Sequence, residues 1–281
     1  MIGYPNLIDS ATLSGGAWAT TLPRANLQNR IIGRVARTSD ATLASTKFDA
    51  TYAVAKNIRA ISLVNHNFSL AGLVRIRGAS DAAFATVLYD SGWSPVWPAV
   101  YTTDSLEWED DNWWSGQYTD EQRSGYMATY THILVTNIRA QYWRVEIDDT
   151  TNAAGYVQIG RVFIGPVWQP LLHMGYNNSV SWETKTGVQE AIGGTEYFQR
   201  RTPYRVTVVP IPNMSIAEGL GNAFEIQRRA GVDGEVFFIF DPDDTIHALR
   251  RQYLGRLRTL SPIQYPYVNN HSTMFEIKEL L

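Results

Sequence analysis

Acids and aromatic rings coincide at one place in this chain. Glu107-Trp108-Glu109-Asp110-Asp111 is followed, after Asn112, by Trp113 and Trp114. Two kinds of chemistry could use such a stretch. A pair of carboxylates facing each other across a cleft can hydrolyse a glycoside. Exposed indoles can stack on a sugar ring or on a protein partner, because they give a large contact area at low entropic cost. For the acids, charge runs usually face water, which favours a solvated loop over a hydrolase using Glu107, Glu109 or Asp111. Two accounts fit the rings: a small core of the loop's own, or a recognition surface. The candidate contact residues are Trp93, Trp97, Trp108, Trp113, Trp114 and Tyr118.

Other chemistry finds little support. The five histidines, His66, His132, His173, His247 and His271, are scattered without the spacing of a metal site. Asp241, Asp243 and Asp244 lack the spaced ligands and closing glutamate of a calcium loop, and Asp-Pro-Asp-Asp reads more simply as a β-turn. There is no GxSxG elbow, no phosphate-cradling GxxxxGK[ST] and no GxGxxG before a helix. No residue is assigned to catalysis, to a metal or to a cofactor. Zero cysteine excludes thiol nucleophiles, disulfide scaffolds and thiolate metal sites.

The elements that must carry these residues are mostly strands. Leu73–Gly78 and Tyr142–Asp148 alternate with period two, placing Arg75 with Arg77, and Arg144 with Glu146, on one face each. Residues 57–64 and 85–90 read as further strands, the latter stopped at a Ser91-Gly92 turn. Residues 156–165 form another, with Gly160 marking a bulge or a close backbone contact. Trp143 falls on the apolar face of its strand and belongs in a core. Residues 93–125 have neither period and read as a long insertion between strands.

A boundary falls near Gly165-Pro166-Val167-Trp168-Gln169-Pro170, a stiff extended connector. It divides the chain into 1–170 and 171–281, and no tryptophan follows Trp182. Trp168 and Trp182 flank it as candidate junction residues. In the second part, 179–186, 205–210, 235–240, 252–257 and 273–280 read as strands. Glu235–Phe240 is nearly all apolar, as in a strand buried on both faces. One helix is expected over 215–230. Ser215 and Glu218 would form a capping box, Gly231 a stop, and Ile216, Leu220, Ala223, Phe224 and Gln227 the buried stripe. The expected fold is mainly β: a jelly-roll β-sandwich followed by a small β-barrel or sandwich with one helix.

The 281 residues carry a net charge of −3, with 18% charged and 44% hydrophobic residues. Such a balance argues against a nucleic-acid partner. No apolar run approaches the ~20 residues of a membrane span, and the N-terminus lacks the pattern of a secretory signal.

The series Ile58-Arg59-Ala60-Ile61, Leu63-Val64-Asn65-His66-Asn67, Val74-Arg75-Ile76-Arg77-Gly78, Asp90-Ser91-Gly92-Trp93, Tyr142–Asp149 and Gly160–Gly165 resembles the galactose-binding-like jelly rolls of bacteriophage tail proteins. The region from about 175 to 281 resembles the one-helix β-domains of distal tail and baseplate rings, with Phe275–Leu280 as terminal strand. The resemblance implies a non-enzymatic structural component of a phage tail tip or baseplate. Such a protein assembles with itself into a ring, a hexamer or trimer, in the bacterial cytoplasm, and docks neighbouring tail or fibre proteins in the virion. Galactose-binding-like domains bind sugars through end loops, but no ligand residue maps onto this chain. A carbohydrate-binding module that recognises a host glycan through the tryptophan-rich loop is the alternative.

Overall fold

The computed structural model describes residues 1–244 and 246–281. The chain is mainly β and forms two compact units: 1–167 with 239–253, and 168–238 with 254–281. The sequence pattern places all of 171–281 in one domain, whereas 239–253 lies with the N-terminal unit. Its Leu249 joins that unit's apolar core, the Ile246 carbonyl accepts from the Tyr118 hydroxyl, and the chain's N-terminal amine donates to the Ile239 carbonyl at 2.6 Å.

The N-terminal unit contains β1 (Thr12–Ser14), β2 (Ala36–Arg37), β3 (Lys47–His66), β4 (Leu73–Ala79), β5 (Val87–Pro95), β6 (Thr129–Asp148) and β7 (Gln158–Gly165). All pairings are antiparallel. The strands β3 and β6, of 20 residues each, pair with one another near both ends, with irregularities between Thr51 and Lys56 and between Ile58 and Ala60. Around Phe48↔Val145 they join β1, β4 and β5 in the order β1-β3-β6-β4-β5. Around Ile61↔His132 they join β7 and β2 in the order β2-β7-β3-β6. Phe48, Ala50, Val74, Ile76, Trp143, Val145 and Ile147 from the first group share one buried cluster with Ile61, Leu63, Val162 and Ile164 from the second. Period-two alternation sends these residues inward, and their burial makes the unit a sandwich.

On the outer side of the first layer, the alternate residues form ion pairs. Arg144 grips Asp49 at 2.6 and 2.7 Å, Arg77 meets Glu146 at 2.8 Å, and Arg75 is bound to Asp90. Three cations thus meet three carboxylates, which neutralises the face foreseen from the 75/77 and 144/146 alternation.

Two glycines show why local signals divide as they do. Ser91-Gly92 is not a turn: β5 runs on to Pro95, and Gly92, at φ +64°, lies where the β4–β5 register shifts between Arg75 and Arg77. A positive-φ glycine serves a bulge as readily as a turn. Gly160 is a point of close approach, since a Cβ there would sit 2.6 Å from the Ile32 carbonyl oxygen.

The C-terminal unit contains β8 (Ser179–Glu183), β9 (Gly187–Glu190), β10 (Glu196–Gln199), β11 (Tyr204–Met214), β14 (Gln264–Tyr267) and β15 (Asn270–Glu279), with most of β12 (Glu235–Ile239) and β13 (Gln252–Thr259), whose residues 239 and 252–253 fall in the first unit. Their order is β8-β11-β15-β13-β12, β14 also pairs with β15, and β9–β10 is a separate hairpin. Every residue of β12 is buried, as its apolar run requires. Arg205 and Glu279 are buried together: Arg205 Nε donates to Glu279 Oε2 at 2.9 Å, and the Arg205 backbone N–H reaches the same oxygen at 3.0 Å.

The expected helix starts as foreseen. Ser215 N–H donates to Glu218 Oε2 at 3.2 Å, and Glu218 N–H donates to Ser215 Oγ at 3.3 Å. Its first part, Ala217–Phe224, is wound as a π-helix, and only Glu225–Ala230 is α-helical. Winding with i→i+5 bonds shifts each residue's azimuth from the 3.6 period. Gly219, Ala223, Ile226, Gln227 and Ala230 therefore face inward, and Ile216, Leu220 and Phe224 are exposed. The stripe read from the sequence is corrected accordingly.

Candidate functional site

The segment between β5 and β6 begins by folding inward. Val96, Trp97, Val100 and Tyr118 belong to the buried cluster of the N-terminal unit. Trp97 and Tyr101 both pack edge-on against Tyr118, with centroids 6.4 and 6.0 Å apart. Arg123 lies over the Trp97 ring at 5.1 Å, held by a short helix whose cap is a reciprocal Thr119–Gln122 box. Trp97 and Tyr118 are thereby removed from the set of exposed contact residues. They line a cleft of about 380 Å³ together with Tyr130, His132 and Leu249. Tyr89 and His132 share a hydrogen bond of 2.6 Å, and Ser94 and Tyr130 one of 2.7 Å. Burial pushes the Tyr118 and Tyr130 hydroxyls up to about 12. Both stay protonated at neutral pH, and Tyr118 donates to the Ile246 carbonyl.

The outer part of the segment is different. The Asp110 carboxylate accepts from the Glu107 N–H at 2.8 Å, and the Trp113 N–H donates to the Asp110 carbonyl at 3.0 Å. Buried Asn112 closes the turn: its carbonyl accepts from Gly116 at 2.7 Å, and its Nδ2 donates to the Gln117 carbonyl at 2.6 Å. These bonds bring three indoles together. Trp108–Trp113, Trp108–Trp114 and Trp113–Trp114 have centroids 4.8, 5.7 and 4.6 Å apart, all edge to face. Trp113 is half-buried, but mutual packing leaves Trp108 67% and Trp114 81% exposed. Glu107, Glu109, Asp110 and Asp111 are exposed alongside. A glycosidase's general acid is kept protonated by an apolar pocket, and none of these four carboxylates lies in one.

The remaining sequence candidates are separate from this cluster. Trp93 is on β5, partly exposed, opposite Arg75 of β4. Trp168 packs edge-on against Phe275 at 6.2 Å within the C-terminal unit. Trp182 is on β8, about half exposed, opposite Arg205.

Among the histidines, His66 is buried. It stacks on Phe68 with a centroid distance of 4.2 Å, and its Nδ1 accepts from the Phe68 N–H at 3.2 Å. Burial, with the nearby Arg123 charge, pulls its pKa down to about 3. Burial also lowers the His132 pKa. Among the described residues, no group of three or more His, Asp or Glu side chains could hold a metal ion. No helix among them is long and apolar enough to cross a membrane.

No family model matches the chain, and no curated protein matches it. Several solved structures resemble part of it. The lectin domain of lectinolysin complexed with Lewis B antigen is 12% identical, with a TM-score of 0.39, covering 59% of this chain and 99% of that one. The family 32 carbohydrate-binding module of NanJ from C. perfringens, in complex with galactose, is 12% identical with a TM-score of 0.38, covering 58% and 98%. The family 32 module of AlyQ, in complex with 4,5-unsaturated mannuronic acid, is 15% identical with a TM-score of 0.36, covering 56% and 95%.

Proposed function

We propose that this chain is a non-enzymatic recognition protein whose N-terminal sandwich presents Trp108, Trp113 and Trp114 to a host surface glycan. The observation that carries this is an edge-packed cluster of three tryptophans on a hydrogen-bonded turn, with Trp108 and Trp114 open to solvent and Trp113 half-buried between them. Edge-to-face packing fixes the rings before a ligand arrives, so less freedom is lost on binding. Indole faces stack on the C–H faces of a sugar, and the carboxylates of Glu107, Glu109 and Asp111 accept its hydroxyls. The test is a glycan array followed by calorimetry. The Trp113→Ala, Trp114→Ala double variant should lose at least about tenfold in affinity. Its melting temperature should barely move. No hit on the array, or a hit unaffected by the double variant, removes the proposal.

A second reading concerns the C-terminal unit. It leaves Val188, Ile192, Tyr197 and Phe198 exposed on the β9–β10 hairpin, and Tyr265, Tyr267 and Val268 exposed around β14. Apolar surface of this extent favours protein–protein contact. It supports the role implied by the sequence resemblance: a ring-forming structural component of a phage tail tip or baseplate, located in the virion and docking neighbouring tail proteins. Light scattering on the purified chain should give a defined oligomer, and particle images should place it in a ring around the tail axis. A monomer at tens of micromolar, with no such ring, rejects this reading.

A further inference from the structure

Two like-charge pairs of opposite sign stand in the C-terminal unit. On the β9–β10 hairpin, Glu190 lies directly opposite Glu196. On the main sheet, Arg256 of β13 lies directly opposite Lys278 of β15. Like charges facing each other across antiparallel strands are destabilising. Neither pair is relieved within the chain, since none of these four side chains forms an ion pair among the described residues. The Arg256 guanidinium donates to the Val232 carbonyl at 3.3 Å, and Lys278 rests over the Tyr204 ring at 3.9 Å.

The basic pair does not stand alone. With Lys185 and Arg201 it lines a cleft of about 730 Å³. Of the two acids that also line it, Glu279 is held by Arg205, which leaves Asp233 against four cations. Partial burial and the neighbouring Lys185, Arg256 and Arg258 hold the Lys278 ammonium below its usual value. Leu280 and Leu281 add an apolar side to the cleft.

The hairpin has the complementary surface. Alternation places Val188 and Phe198 on the same face as Glu190 and Glu196, apolar residues toward the base and acids toward the tip. Both apolar side chains are exposed. The hairpin cannot serve its own cleft. Lys185 and Arg201 sit at its base, and strands rising ~3.3 Å per residue carry the two glutamates on the order of 15 Å away. A hairpin that meets this cleft would have to come from another molecule.

We propose that the β9–β10 hairpin of one copy docks on the basic cleft of a second copy, with Glu190 and Glu196 set against Arg256 and Lys278. This rests on the assembly reading above and specifies its contact. The interface uses different patches on the two copies, so it closes into a ring or runs on as a filament.

The test is charge reversal with light scattering and sedimentation on the full chain. Glu190→Lys with Glu196→Lys, and separately Arg256→Glu with Lys278→Glu, should each weaken self-association at least about tenfold. Mixing the two reversed chains, or combining all four substitutions in one, should restore it. Circular dichroism shows whether each chain is folded, and rescue on mixing cannot come from an unfolded chain. Salt at about 0.5 M should weaken the wild-type assembly. A monomeric wild type overturns both this contact and the assembly reading. An oligomeric wild type unaffected by either reversal, or reversals not rescued by mixing, overturns the contact alone. Heparin binding lost on cleft reversal, with association unchanged, gives the cleft to an anionic polysaccharide and also overturns it.

Discussion

Replacing His66 with asparagine tests the electrostatics of the N-terminal core. The imidazole is buried, stacked on Phe68, and its pKa falls from 6.5 to about 3, chiefly through burial and secondarily through Arg123. Between these two values the unfolded chain binds a proton that the folded chain refuses. Stability is fully present above pH 6.5 and drains away as pH falls toward about 3. Each pH unit is worth about 1.4 kcal/mol, so His66 removes about 3 kcal/mol by about pH 4.5. An asparagine side chain would keep an acceptor for the Phe68 N–H and carry no titrating group. Urea unfolding followed by tryptophan fluorescence at about pH 7.5, 6 and 4.5 would measure both proteins. The His66→Asn chain should be the less stable at neutral pH, through lost packing, and should close the gap by about 3 kcal/mol on acidification. Carboxylates titrate equally in both and cancel in the difference. A difference constant to within about 0.5 kcal/mol refutes the argument.

Two further outcomes follow from the packing. Arg205→Met should cost about 3–5 kcal/mol, because it leaves the buried Glu279 carboxylate without its cation. Adding Glu279→Leu should recover most of that in thermal unfolding, and a single variant losing under about 1 kcal/mol contradicts it. Gly160→Ala should destabilise by about 1–3 kcal/mol, since the added Cβ meets the Ile32 carbonyl at 2.6 Å. An unchanged melting temperature would show that this backbone yields freely.

What the sequence made legible was whatever depends on local period. Strands 73–78 and 142–148, the inward Trp143 and the charged outer face all follow from alternation, and the structure has each of them. The Ser215–Glu218 cap is equally local. The failures occur where a distant residue decides. Trp97 and Tyr118 share the composition of Trp108, Trp113 and Trp114, yet the former pair is buried in a core cluster that also takes in Leu249, far along the chain. Ile216, Leu220 and Phe224 fit a 3.6 period that the π-wound backbone does not follow. Arg256 and Lys278 are lone cations in sequence, and only the β13–β15 register sets them opposite each other. Their one sequence signal was a cation on each of two alternating runs.

The return of 239–253 to the first unit also sets an order of events during synthesis. A ribosome that has completed Val167 has made most of the sandwich, but Leu249 and the carbonyl that receives the Tyr118 hydroxyl follow only after roughly 80 more residues. At roughly 5–20 residues per second, the nascent sandwich waits several seconds with part of its apolar interior uncovered. The segment that begins first is thus sealed late, and its exposure to chaperones and aggregation is set by the translation rate of the unit that interrupts it.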